Sequence, residues 1–169
     1  MFADDFKDFK QACDSGDAKS CLSLGVLYYF GAGVKQDYVK ATELYKKARD
    51  GGDASGCSDL GISYEHGEGV KQDYVKAAEL YKKACDMGHA YSCTYLGDLY
   101  VGGYDAEQDF KKAKEYYKKA CDMGHALSCI YFGDLYAEGK GTKQDFKKAK
   151  EYYKKTCDLK EQDGCDLYQ

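Results

Sequence analysis

The chain has no proline, no tryptophan and only three histidines in 169 residues. It has no run of 18 apolar residues, so no segment reads as a membrane-spanning helix. Met1-Phe2-Ala3-Asp4-Asp5-Phe6 has neither a basic start nor an apolar core and does not read as a signal peptide. The expectation is either a cytosolic protein or a mature chain whose export signal is absent from this sequence. Positive charge is not in excess either. Twenty-five Lys and Arg against 29 Asp and Glu leave a net charge of -4, which argues against a nucleic-acid partner or an anionic membrane surface. Lysine clusters such as Lys111, Lys112, Lys114, Lys118 and Lys119 alternate with acidic residues and read as a solvated helix face.

The signatures of metal chemistry are missing as well. No His-x-x-x-His pair or carboxylate–histidine cluster occurs, so no metal and no cofactor is expected. His89 and His125 occupy equivalent places at helix starts and read as structural or capping residues, and His66 stands alone near a turn. Glu65, His66 and Glu68 form a charged knot that reads as a solvated loop rather than an acid–base site.

What the chain does have is a period. Ala84-Cys85-Asp86-Met87-Gly88-His89-Ala90-Tyr91-Ser92-Cys93 returns 36 residues later as Ala120-Cys121-Asp122-Met123-Gly124-His125-Ala126-Leu127-Ser128-Cys129. A fixed period of this size marks a repeat array. Two helical patterns alternate on the grid. The B pattern starts after Asp37, Asp73, Asp109 or Asp145, plausible N-caps, and continues through apolar positions such as 38, 41, 44, 45 and 48. Gly16, Gly52, Gly88 and Gly124 fall where it should end.

The A pattern runs through Ala18, Cys21, Leu24, Gly25 and Tyr28 and their equivalents. Its internal glycines (Gly25, Gly61, Gly97, Gly133) cost helix propensity, so a neighbouring helix is expected to pack against the missing side chain. Tyr45, Tyr81, Tyr117 and Tyr153 read as core. Glycines at 31 and 33 shape the turn from A to B, and the third repeat, with Tyr104-Asp105-Ala106-Glu107, is expected to turn differently. The expected organisation is a single solenoid domain. Residues 1–16 form a capping B helix, 17–52, 53–88, 89–124 and 125–160 form four A–B repeats, and 161–169 form a truncated A helix whose approach is irregular because Lys160 replaces the glycine.

The unit A-x5-L-G-x2-Y, a glycine-rich turn and D-x3-A-x3-Y-x2-A is carried by Ala18, Leu24, Gly25, Tyr28, Gly31, Gly33, Ala41, Tyr45 and Ala48. It resembles the Sel1-like repeat, a TPR-like αα hairpin, over essentially the whole chain. A cysteine at each end of the inter-repeat turn makes the chain similar, more narrowly, to the Helicobacter cysteine-rich proteins. The resemblance implies an exported, all-α, right-handed superhelical solenoid with inter-helix disulfides. It also implies a β-lactam or muropeptide ligand and a weak β-lactamase activity. The residues themselves do not carry that chemistry: no serine stands three residues before a lysine, and neither Ser-Asp-Asn nor Lys-Thr-Gly occurs. No catalytic residue is assigned.

Spacing alone speaks for the cysteines. Cys85 falls in the last turn of one helix and Cys93 in the second turn of the next, with Gly88 reversing the chain between them, so the two thiols can face each other. Cys13 with Cys21, Cys121 with Cys129, and Cys157 with Cys165 repeat the arrangement. Each bridge closes a short loop, for which chain entropy gives roughly 2.5 kcal/mol. Buried apolar thiols and a zinc site are the other readings, and four complete pairs at one spacing favour bridges over both. Bridges imply an oxidising compartment, periplasmic or extracellular. Cys57 breaks the rule because its grid partner is Arg49. A free buried thiol is expected there, with an intermolecular disulfide as the alternative and no nearby base to make it a nucleophile. This junction is expected to be the least rigid.

Comparing repeats within the chain separates packing from recognition. A-helix positions 18, 21, 24, 25 and 28 barely change between repeats. Positions 19, 22, 23, 26 and 29 change freely and form a second helical stripe. The candidate groove is Lys19, Leu22, Ser23, Val26, Tyr29, Asp59, Tyr91, Tyr95, Asp98, Leu127, Ile130, Tyr131 and Asp134. Tyrosine supplies contact area with a polar tip, and Asp98 and Asp134 would pair with a basic or amide-bearing ligand. The competing reading is packing within each repeat, above all for Val26 and Ile62. The expected function is that of a monomeric, exported scaffold binding an extended peptide or protein segment in a concave groove. A penicillin- or muropeptide-binding protein and a cytosolic adaptor with reduced thiols are the alternatives. A thiol count on unfolded protein made in an oxidising compartment should give one of nine before reduction and nine after. Nine before reduction would remove both the bridges and the export argument.

Overall fold

Each aspartate that opens a B pattern holds the chain at two points. The carboxylates of Asp37, Asp73, Asp109 and Asp145 accept the first-turn amides of Lys40, Lys76, Lys112 and Lys148, each at 3.0 Å. The aspartate N–H groups donate back to the carbonyls of Tyr28, Tyr64, Tyr100 and Tyr136 at the end of the preceding A helix, at 2.8 to 3.0 Å. The residue that caps one helix therefore also sets where the other ends. The capped lysine then places its ammonium 5.0 to 5.3 Å from the ring of that same tyrosine, a cation–π contact.

A computed structural model describes residues 2–104, 108–159 and 165–167. These residues are organised as α1 (Phe2–Asp14), α2 (Ala18–Phe30), α3 (Tyr38–Asp50), α4 (Ala54–His66), α5 (Tyr74–Asp86), α6 (Ala90–Gly102), α7 (Phe110–Asp122), α8 (Ala126–Glu138) and α9 (Phe146–Asp158). Residues 165–167 are helical as well, and no strand occurs among the described residues. The altered turn expected at 105–107 and the irregular end expected from Lys160 lie outside them. The helices form two compact units, Met1–His89 and Ala90–Gln169. In the first unit consecutive helices pack on one another, and α2 also touches α4. In the second, α7 packs on α6 and α8, and α9 on α8.

The A–B contact explains the glycines inside the A helices. A methyl group at Gly25, Gly61, Gly97 or Gly133 would stand 2.5 to 2.7 Å from a ring carbon of Tyr45, Tyr81, Tyr117 or Tyr153. With no Cβ in the way, each ring lies against the A-helix backbone and is at most 8% exposed. Burying a side chain of this size stabilises by about 2–3 kcal/mol, more than the roughly 1 kcal/mol that glycine costs inside a helix. The B helices end as their glycines anticipate, with φ of 84 to 95° at Gly16, Gly52, Gly88 and Gly124.

Disulfides join Cys13 to Cys21, Cys121 to Cys129 and Cys157 to Cys165, with Cα atoms 4.6, 4.7 and 4.5 Å apart. Cys85 and Cys93 are disulfide-bonded too. Cys57 is a free thiol, 0% exposed, and burial pushes its pKa up so that it stays neutral. In place of a bridge, this junction has a close backbone approach: a methyl at Gly56 would meet the Ala48 methyl at 2.6 Å.

The ring contact can be tested directly. Gly97→Ala should lower stability by about 1–3 kcal/mol, because the Tyr117 ring has no room to retreat. Urea unfolding reads the change, and an unaltered midpoint would mean that the ring yields freely.

Candidate functional site

The buried B-helix tyrosines carry a hydroxyl that must find a partner or face open space. Three find a carboxylate on the A helix of their own hairpin. Tyr81 donates to Glu65 at 2.6 Å, Tyr117 to Asp98 at 2.6 Å and Tyr153 to Asp134 at 2.7 Å. Burial, and then the bonded aspartate, raise the phenol pKa of Tyr117 and Tyr153. Asp98 and Asp134, expected to pair with a basic or amide-bearing ligand, thus each already accept one phenol, and Asp98 is still exposed. The solvated-loop reading of Glu65 and Glu68 is corrected by the same kind of bond. Glu68 accepts from Tyr29 at 2.7 Å, a bond that, with burial, pushes the Tyr29 phenol up to about 12.

Tyr45 is the exception. Its hairpin offers Val26 and Tyr29 where the others have an acid, and its hydroxyl has no hydrogen-bond partner among the described residues although the residue is 3% exposed. It faces a cavity of about 200 Å³ lined by Val26, Tyr29, Phe30, Tyr45, Asp59 and Ile62. The contact of α2 with α4 brings these side chains together. Asp59 likewise has no side-chain partner among the described residues. Burial, and then the charge of Asp53, hold its carboxyl up at about 6.

The candidate stripe is therefore divided in the structure. Val26, Tyr29 and Asp59 meet at the cavity. Leu22 packs against two interior clusters, one around Leu24 and Leu44 and one around Tyr45 and Leu60, Ser23 is half-buried and Lys19 is exposed. In the second unit Tyr91, Leu127 and Tyr131 are 55, 43 and 37% exposed, and Tyr95 is half-buried. Tyr91 leans on the His125 ring at 4.5 Å, and Tyr131 covers Tyr117 at 5.4 Å. Ile130 leaves the stripe: it is 8% exposed and packs with Ala149 and Tyr153. The sequence reading missed Tyr45 and Phe30 as part of the site. The signal for Tyr45 was present, since it is the one B-helix tyrosine whose A helix has no acid at position 26 or 29 of the unit.

A serine does meet a histidine. Ser128 Oγ lies 2.7 Å from His125 Nδ1 and 2.6 Å from Thr94 Oγ1, and Thr94 is 3.1 Å from the same nitrogen. Ser128 is 0% exposed, so this triangle ties α6 to α8 and leaves no space for a substrate at the hydroxyl. His125 thus occupies the N-cap of α8 without capping it. Among the described residues no group of three or more His, Cys, Asp and Glu could hold a metal ion, and no helix is long and apolar enough to cross a membrane.

Helix hairpins repeating every 36 residues, each tightened by a tyrosine on a glycine, define an αα-repeat scaffold. The Sel1 repeat model matches residues 18–53, 54–89, 90–125 and 126–161, and the chain belongs to the Sel1 repeat family. Each matched unit begins one residue after the boundaries drawn from the cysteine grid. A search of curated proteins finds no match. Among solved structures, the chain is similar to a protective antigen present in uropathogenic Escherichia coli strains, at a TM-score of 0.87 and 30% identity over 92% of this chain and 33% of that one. A Sel1 repeat protein from Oxalobacter formigenes gives 0.84 and 26% over 91% of this chain and 63% of that one. Cysteine rich protein B of Helicobacter pylori gives 0.62 and 32% over 81% of this chain and 98% of that one. The chain thus spans a third of the first relative and less than two thirds of the second.

The desolvated carboxyl has a measurable consequence. In the unfolded chain Asp59 titrates near 3.9, whereas in the fold it titrates at about 6. The native state holds the extra proton between these values, so this stability is full below about pH 4 and is lost as pH rises through 6. Asp59→Asn should be more stable than the parent at pH 7.5 by about 1–3 kcal/mol, with the two converging at pH 4 in urea melts. A variant less stable at pH 7.5 would mean that the carboxylate has a partner in the fold.

Proposed function

We propose that this protein is an exported Sel1-repeat scaffold whose A-helix face holds an extended peptide or protein segment. The observation that carries the reading is internal to the chain. A-helix positions that pack are constant between repeats, while those beside them vary and still keep large side chains at the surface, with Tyr91 and Leu127 on one equivalent position and Tyr131 close by in sequence. Exposed tyrosines with rings braced by neighbours lose little entropy on binding and are frequent hot spots.

The bridges support export. Four disulfides are stable in an oxidising compartment and are rare in the cytosol, and a relative that is a protective antigen fits a location outside the cytoplasm. A β-lactam or muropeptide reading has less behind it. The serine beside a histidine is sealed in the interior, so its hydroxyl offers a lactam no point of attack.

The test is selection of displayed peptides against the oxidised protein. Tyr95→Ala combined with Tyr131→Ala should weaken the selected peptides by at least about tenfold while the protein remains folded by circular dichroism. Unchanged affinity in the folded double variant would remove the face from consideration.

A further inference from the structure

We propose that the cavity walled by α2, α3 and α4 is a socket for one basic side chain, lysine or arginine, of the segment bound on the A-helix face. The inference rests on that reading of the face and adds the residue type that its first repeat junction selects. Tyr45 carries it. The ring is 3% exposed, yet its hydroxyl has no partner among the described residues, while Tyr81, Tyr117 and Tyr153 each donate to a carboxylate. Asp59 presents a second unpartnered polar group to the same space, and no basic residue lines it. Of the other walls, Val26, Phe30 and Ile62 are hydrocarbon and ring, and the Tyr29 hydroxyl is already bonded to Glu68.

A comparison between repeats shows what is missing. Val26, Tyr45, Asp59 and Ile62 correspond on the 36-residue grid to Asp98, Tyr117, Tyr131 and Asp134. In the later pair of repeats the phenol is bonded to Asp98 and covered by the Tyr131 ring, and Asp134 has its own phenol. In the earlier pair the acid on the phenol's own hairpin has become Val26, the covering ring has become Asp59, and a cavity stands in its place.

One cation from outside satisfies both orphaned groups. Its N–H donors reach the Asp59 carboxylate and the lone pairs of the Tyr45 oxygen, while its methylene stem lies along Val26, Ile62 and the aromatic rings. An anion is repelled by Asp59. A purely apolar side chain would leave a carboxylate and a phenol unpaired in low dielectric. The volume of about 200 Å³ suits a single long side chain.

The experiment is an NMR titration of the whole oxidised protein with Nα-acetyl-lysine N-methylamide, its arginine counterpart and the norleucine counterpart, which keeps the stem and lacks the charge. The basic amides should shift the Tyr45, Asp59 and Ile62 resonances and bind at least about tenfold more tightly than the norleucine amide. Asp59→Asn should abolish that preference. Equal binding of the norleucine amide, or a lysine preference retained in Asp59→Asn, overturns the socket. The wider reading fails separately. A selected peptide sensitive to Tyr95→Ala with Tyr131→Ala but indifferent to Asp59→Asn keeps the face and overturns the socket. Lysine-amide binding lost in Asp59→Asn, with no peptide affected by the tyrosine pair, keeps the socket and ends the face.

Discussion

The contact between a B-helix tyrosine and an A-helix glycine is what the rest of this structure depends on. It sets the spacing of each hairpin, because the ring occupies the volume that any side chain at Gly25, Gly61, Gly97 or Gly133 would need. It buries a hydroxyl as a by-product, and burial makes that hydroxyl's partner a structural necessity. The carboxylates of Glu65, Asp98 and Asp134 answer that need in three hairpins. The first hairpin keeps the ring and the glycine but not the acid. What it leaves unpaired is what the proposed socket uses.

Much of that frame was legible in the residues. The 36-residue period, the capping aspartates, the terminal glycines and the nine-residue cysteine loops are local patterns, and local patterns survive reading without coordinates. The pairing of tyrosine hydroxyls with A-helix acids was not legible in the same way. Tyr117 and Asp98 are 19 residues apart, and nothing in either helix announces that their tips converge. For the same reason the phenols held by Asp98 and Asp134 were not foreseen, and Ile130 looked exposed on a helical wheel although Ala149 and Tyr153 enclose it. A variable stripe shows where repeats differ, and only packing shows which of the differences reach the surface.

The Cys57 junction illustrates how one substitution is absorbed. Arg49 stands where a half-cystine would be and pairs with Asp50 at 2.8 Å, on the outside of the fold. The thiol left behind is neutral and enclosed. Gly56 lets α4 approach the Ala48 methyl closely enough that van der Waals contact takes over part of the covalent link's role. Stability here comes from shape, and the other junctions have both shape and a bond.

The separation of eight residues in the Cys13–Cys21, Cys121–Cys129 and Cys157–Cys165 bridges has a consequence for assembly. Eight cysteines can in principle pair in 105 ways, but each of these joins to a neighbour on the other side of one turn. A partner is therefore present as soon as a dozen or so further residues have emerged. Oxidation can follow the growing or translocating chain hairpin by hairpin, without waiting for a distant segment, and a thiol reaching the wrong mate must close a longer loop to do so. The array carries its own proofreading in the order of its residues.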